Sequence, residues 1–146
     1  MKASSIIRGI AVGSVTFTQE GDKVHVTGII QGLNPGRHGF HIHEKNDTSQ
    51  RCAKTGFHFN PFKQTHGAPT DQVRHVGDLG NIEADQDGVA HVSIYDSIIS
   101  LTDPTRNILG LSVVVHHSED DYGRGNQKDS LTTGHAGDRI GCGMPP

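Results

Sequence analysis

Six of the eleven histidines in this chain, together with one aspartate, stand at spacings suited to holding metal ions. His41 and His43 flank Ile42 in Gly39-Phe40-His41-Ile42-His43-Glu44. On a strand, residues two apart project from one face, so the two imidazoles can converge on a single ion. A second group follows, His58, His66, His75 and Asp78, with seven, eight and two residues between successive members. Three imidazoles and a carboxylate make a suitable tetrahedral set for zinc, an ion served by nitrogen and oxygen donors. His116 completes the seven, at the end of the apolar run Val113-Val114-Val115, where a packed strand would hold a ring rigidly. Any one such histidine is usually incidental or solvated; their joint occurrence points to a metal centre. His117 is expected on the opposite face of that strand, at the surface or rim. His25 and His91 are expected at solvent-facing strand positions, and His38 fits no metal spacing.

The elements that must position these donors read as short strands. Lys2 to Arg8, Gly13 to Gln19 and Val24 to Gln31 alternate with turn clusters such as Glu20-Gly21-Asp22 and Asn34-Pro35-Gly36. Asp87-Gly88 between Asn81–Ala84 and Val89–Tyr95 predicts a hairpin, because both residues tolerate positive φ. Leu109 to His117 is apolar enough for a strand buried along much of its length. Strands this frequent predict an antiparallel sandwich or barrel. Two segments break the rhythm, Lys45 to Leu79 and Glu119 to Asp138, both rich in Gly, Asp, Asn and His. Loops so long are functional or disordered in a compact domain. The first carries four of the candidate ligands, and a bound metal can order a polar loop that has no core of its own.

With 146 residues the chain suits one domain, residues 1–146. Its 32% apolar content, 5% aromatics and nineteen glycines favour turns and short strands over a large helical core. The net charge of −3 and the lack of a basic patch interleaved with aromatics argue against nucleic acid as a partner. No stretch approaches the roughly 20 apolar residues of a membrane-spanning helix. The start, Met1 to Arg8, has no apolar segment of signal-peptide length, so a cytoplasmic location is expected, or an extracellular one for a chain whose signal has been removed. Cys52 and Cys142 lie far apart, and spacing alone leaves them open between reduced thiols and a pair.

The motifs Gly39 to Glu44, His58-Phe59-Asn60-Pro61, His75-Val76-Gly77-Asp78-Leu79-Gly80-Asn81, Val114-Val115-His116 and Gly134 to Gly143, in this order, resemble the copper/zinc superoxide dismutase family of the eukaryotic cytosolic type. The resemblance covers nearly the whole chain. It implies an all-β Greek-key antiparallel sandwich or flattened barrel of about eight strands with two long functional loops. It implies copper on His41, His43, His58 and His116, and zinc on His58, His66, His75 and Asp78, with His58 bridging. Asp120 would link the free ring nitrogens of His41 and His66, and Cys52 would pair with Cys142. The activity implied is disproportionation of two superoxide anions to oxygen and hydrogen peroxide by alternate reduction and oxidation of copper. In it His58 carries a proton and Arg139 positions the anion, while Arg124 and Lys128 are candidates for steering it. A copper chaperone is the implied loading partner. A metal-holding or copper-delivery relative with weak catalysis is the alternative, although no Cys-x-x-Cys or Cys-x-Cys is present to hand over Cu(I).

The chain also departs from the pattern. Lys45 and Asn46 stand where the family usually has an aromatic or apolar residue and a glycine at its dimer seam, and Met144-Pro145-Pro146 replaces the usual tail. Homodimer and monomer are therefore both open. Phe57 precedes His58 where relatives carry proline or a smaller or polar residue; a bulky side chain there would either pack or displace the loop. His135 stands in place of an asparagine near Arg139.

Overall fold

A computed structural model describes residues 1–143; the Met144-Pro145-Pro146 departure lies outside the described residues. Eight strands run in chain order: β1 (Lys2–Gly9), β2 (Val12–Glu20), β3 (Lys23–Gln31), β4 (Gly36–His43), β5 (Asp78–Ala84), β6 (Ala90–Asp96), β7 (Ser112–His116) and β8 (Arg139–Gly143). One turn of helix, α1 (Ser130–Thr133), interrupts the second long loop. The strands close into an antiparallel barrel in the order β1-β2-β3-β6-β5-β4-β7-β8. Connections cross, since β3 pairs with β6 and β4 pairs with β7; the all-β expectation holds, and closure leaves no free sheet edge among the described residues.

Alternation explains the core. In β1 the residues Ala3, Ser5 and Ile7 face inward, and in β2 and β3 the inward positions include Val15, Phe17, Val24, Val26 and Ile30. Fully burying each such valine, isoleucine or phenylalanine contributes roughly 1.5–3 kcal/mol. In the hairpin between β5 and β6 only Gly88 takes positive φ, at 76°, and its amide donates to Asp85 O, so the turn runs over Asp85 to Gly88 rather than resting on Asp87 and Gly88 as a pair.

β4 and β7 break the alternation because both their faces are covered. Phe40 and Ile42 enter the barrel core, while His41 and His43, on the other face, are equally buried. Their cover is the pair of long loops, residues 44–77 and 117–138. On β7, Val113 and Val115 point inward, and Val114 packs outward against Cys52 and Cys142. Those cysteines form a disulfide that ties the first loop to β8. Buried Arg74 anchors the same loop to the barrel, bonding Asp96 on β6 at 2.7 Å and the carbonyls of Pro69, His75 and Val76.

Candidate metal centre

His41 and His43 leave β4 on one face, and a register shift between Gly39 and His41 sets His41 opposite Asp78, the first residue of β5. His41 also pairs with Val114, two residues before His116 on β7. His58 is carried in by a bridge between its backbone and that of His43, and His66 and His75 follow on the same loop. All seven side chains are buried and fall into two groups sharing His58: His41, His43, His58 and His116, and His58, His66, His75 and Asp78. Within each group the donor atoms lie within 4.8 Å of one another.

Partners outside the cluster decide which nitrogen of each ring faces inward. His43 Nδ1–H donates to Gly56 O at 2.9 Å and His116 Nδ1–H to Gly137 O at 3.0 Å, leaving each Nε2 inward, 3.4 Å apart. His41 Nε2–H and His66 Nε2–H donate to the two oxygens of Asp120, at 2.5 and 2.7 Å, so both Nδ1 atoms point inward. Asp78 Oδ2 accepts the backbone N–H groups of Gly67 and His75, which leaves Oδ1 for the cluster. Such outer contacts fix ring orientation and raise ligand basicity.

These donors fit the two metals. His41 Nδ1, His58 Nε2 and His66 Nδ1 are buried without a hydrogen-bond partner among the described residues, an arrangement that costs free energy unless a cation accepts their lone pairs. His66 Nδ1 is 2.9 Å from Asp78 Oδ1, yet without the alignment of a hydrogen bond. Asp78 Oδ1 is 2.9 and 3.2 Å from the Nδ1 atoms of His58 and His75, which are themselves 3.2 Å apart. Bonds of about 2.0–2.1 Å to a tetrahedral zinc require edges of roughly 3.3 Å. The other set offers four imidazole nitrogens, a donor type that suits copper.

Electrostatics separate the two sets. Burial, partly offset by Asp120, holds His41 at about 4. Burial and the neighbouring His41 hold His58 at about 3, burial holds His116 at about 4, and burial and His58 keep His43 well below its ordinary value. These rings are neutral, as ligation requires. His66 goes the other way. Burial alone would lower it, but its bond to Asp120 and the nearby negative charge of Asp78 prevail and raise it to about 9. Burial opposes ionisation of Asp120, yet His41 and His66 overcome it and bring the carboxyl to about 2; Asp78 is likewise held well below its usual range by His58, His66 and His75.

The remaining expected residues stand as follows. Arg139 NH1 donates to Cys52 O, Ala53 O and Thr55 Oγ1, and that hydroxyl lies 3.4 Å from His43 Nδ1, so the guanidinium is tied to the first set. Arg124 pairs with Asp71 at 2.6 Å, whereas Lys128 is exposed and enters no ion pair among the described residues. Phe57 does neither of the things its bulk suggests: the residue is 72% exposed, and His58 stays in the cluster. His25 is half-buried and stacked on Tyr95 at 3.9 Å, not turned to solvent as its alternation suggests, because Tyr95 on β6 lies directly across from it. His91 and His117 are exposed, as expected.

Residues that spacing did not flag complete the frame. Asn81 on β5 clamps Asp120, accepting its N–H at 2.7 Å and donating to its carbonyl at 3.0 Å. Buried His38 faces His116 O with one ring nitrogen and Asn34 O with the other. Gly134, at φ 74°, lies where a Cβ would collide with Asp120 and His66. Asn81 stood in a motif that also contains Asp78, which is the signal that could have found it.

Comparison with known proteins agrees with this geometry. The family described as copper/zinc superoxide dismutase (SODC) matches residues 11–144. The chain is 50% identical over 147 residues to copper-zinc superoxide dismutase 5 of Dictyostelium discoideum, covering 99% of this chain and 96% of the relative. It is 51% identical over 148 residues to the copper-zinc superoxide dismutase of Onchocerca volvulus, covering 97% and 93%. A solved structure of the clock protein EA4 superposes with a TM-score of 0.94 at 46% identity, covering 99% of this chain and 92% of that one.

Proposed function

The chain belongs to the copper/zinc superoxide dismutase family and dismutates superoxide at a copper and zinc centre; from that premise we propose how its own residues divide the work. When bound, copper supplies the electron exchange that turns two superoxide anions into oxygen and hydrogen peroxide, and zinc supplies a fixed positive charge beside it. His41, His43, His58 and His116 would hold the copper, and His58, His66, His75 and Asp78 the zinc. The observation that carries the reading is the set of buried, partnerless nitrogens aimed inward from rings whose other nitrogens are satisfied.

His58 is the one side chain common to both sets. Its Nδ1 stays beside Asp78 Oδ1 while its Nε2 is free to take up a proton and give it to the departing product. Arg139, held by three acceptors and linked through Thr55 to His43, keeps a planar cation where an incoming anion can be hydrogen-bonded. Asp120, clamped by Asn81, keeps the His41 and His66 rings aimed at their sites. Lys128 remains the candidate for steering, since Arg124 is paired with Asp71. The test is superoxide turnover with both metals loaded. Arg139→Gln is expected to lower it about tenfold or more with metal content unchanged, and absence of turnover in the fully loaded parent protein overturns the reading.

The reading extends to a homodimer. The Ser112 hydroxyl bonds Lys45 O, Val113 pairs with Gly143, and Gly143 packs on the backbone of Ile6, so exposed Ile6 and Lys45 share one face. Lys45 would then lie at the seam's rim with its ammonium in water. Sedimentation at micromolar concentration tests this, and a single 15.7 kDa species counts against it. A copper chaperone for loading and a cytoplasmic location belong to the same reading, and cell fractionation checks the latter.

A further inference from the structure

Two adjoining clefts of about 640 and about 620 Å3 share Ile10, Arg51, Arg139 and Ile140 in their walls, and none of the seven metal ligands lines either. The first is also walled by Arg8 and Thr48. Three arginines thus border one cleft and, among the described residues, no carboxylate side chain lines it, while Asp138 is the one acidic residue described in the wall of the second. Ion pairs among the described residues engage Arg37, Arg74, Arg106 and Arg124, but neither Arg8 nor Arg51. Like charges collected in a concave wall focus a field that an anion relieves.

Apolar surface lies beside this charge. Ile10 is 73% exposed, the highest value among the large hydrophobic residues described, and the edge of Ile140, otherwise packed in the core, borders both clefts. The backbone supporting Arg51 is strained as well. Gln50, Arg51 and Cys52 have φ of 53°, 56° and 68°, three successive residues in a region that L-residues avoid. The Cys52–Cys142 bridge and the bonds from Arg139 to Cys52 O and Ala53 O hold them there. Strain of this kind persists where the surroundings over-determine it, and here it fixes a cation at the cleft wall.

We infer that this groove is a binding site for small organic carboxylates with an apolar body. The guanidinium groups would grip the carboxylate through paired N–H donors, and the tail would lie along Ile10 and Ile140. A cleft of this volume lies within the range of small-molecule sites, about 300–1,000 Å3, and accommodates a chain of about eight carbons.

Octanoate titrated into the disulfide-intact protein loaded with zinc and Cu(I), followed by amide NMR shifts, tests the inference. Saturable shifts are expected at Arg8, Ile10, Thr48, Arg51 and Ile140, with acetate and octanamide each binding at least about tenfold more weakly. Arg8→Gln and Arg51→Gln are each expected to raise the octanoate Kd about tenfold, with Arg51→Lys recovering part of the loss. Octanamide binding as tightly as octanoate would reduce the groove to a greasy patch, and acetate matching octanoate would reduce it to a charge cluster; either overturns the proposal. So do shifts that fail to saturate or that fall elsewhere, and these ligand comparisons on the parent protein need no variant to fold.

Discussion

His41, His43 and His116 stand on two neighbouring strands of a closed barrel, whereas His58, His66 and His75 hang on the loop of residues 44–77, with only Asp78 of the zinc set in a strand. The strand-held rings inherit their positions from ladder hydrogen bonds and from Phe40, Ile42, Val113 and Val115 in the core behind them. The loop-held rings have no such backing. They rely on tethers: the Cys52–Cys142 bridge, Arg74 bonded to Asp96, and the carboxylates of Asp78 and Asp120. The same donor type is thus held by packing in one half and by polar and covalent ties in the other. The first should tolerate loss of a tie, and the second should not.

The sharpest way to break the comparison is Asp78→Ala. It removes the carboxylate that faces His58, His66 and His75 and that accepts two backbone amides. Zinc affinity, read by chelator competition, is expected to fall by at least about a hundredfold, with copper affinity within about tenfold of the parent. Equal losses for the two metals would show that the halves are not independent.

Cutting the covalent tie comes next. Cys142→Ser opens a link spanning 90 positions and is expected to destabilise the protein by about 3–5 kcal/mol in urea unfolding. Hydrogen exchange should show residues 44–77 losing protection first while β4 and β7 keep theirs; uniform loss would contradict the division.

A smaller, opposite-signed pair of effects comes from pH in the metal-free protein. His41 and His116 at about 4 and His58 at about 3 are held down chiefly by burial, so unfolding takes up protons below the ordinary 6.5. Stability from these rings is complete above 6.5 and is lost as pH falls through 4. His66, raised to about 9 by Asp120 and Asp78 against its burial, contributes stability that is complete below 6.5 and lost as pH rises through 9. Urea midpoints should therefore drop on both sides of 6.5, with the alkaline decline absent in His66→Gln. An alkaline decline that survives in that variant would assign it elsewhere.

The smallest effect is expected at Phe57→Ser. With the residue 72% exposed, loss of the ring should change stability by less than about 0.5 kcal/mol and leave both metal affinities unaltered. A measurable weakening of zinc would mean that the loop half depends on this ring after all.

The seven ligands were legible in the sequence because their signals are local: a period of two on β4, a short run of histidines before Asp78, and an apolar strand ending in His116. Six of the eight strands were legible for the same reason, through alternation and turn residues, whereas the number eight came from the family resemblance. Asn81 holding Asp120, Arg74 holding Asp96 and His38 facing His116 O were not. Each joins residues 22 to 78 positions apart, and each side chain has an ordinary surface-compatible type. The outward turn of Phe57 was equally hidden, since its direction depends on the path of a loop whose tethers lie elsewhere.

By itself, the sequence determined the donors, their number and the strands that carry the first of them, because residue type and period are properties of short stretches of chain. Only the tertiary structure decided that the barrel closes, that two loops bury the outer face of β4, and which nitrogen of each imidazole is left for a metal. That last choice belongs to Gly56, Gly137 and Asp120, which accept the opposite N–H from distant parts of the chain. An imidazole offers two chemically similar nitrogens, and nothing within its own stretch of sequence distinguishes them.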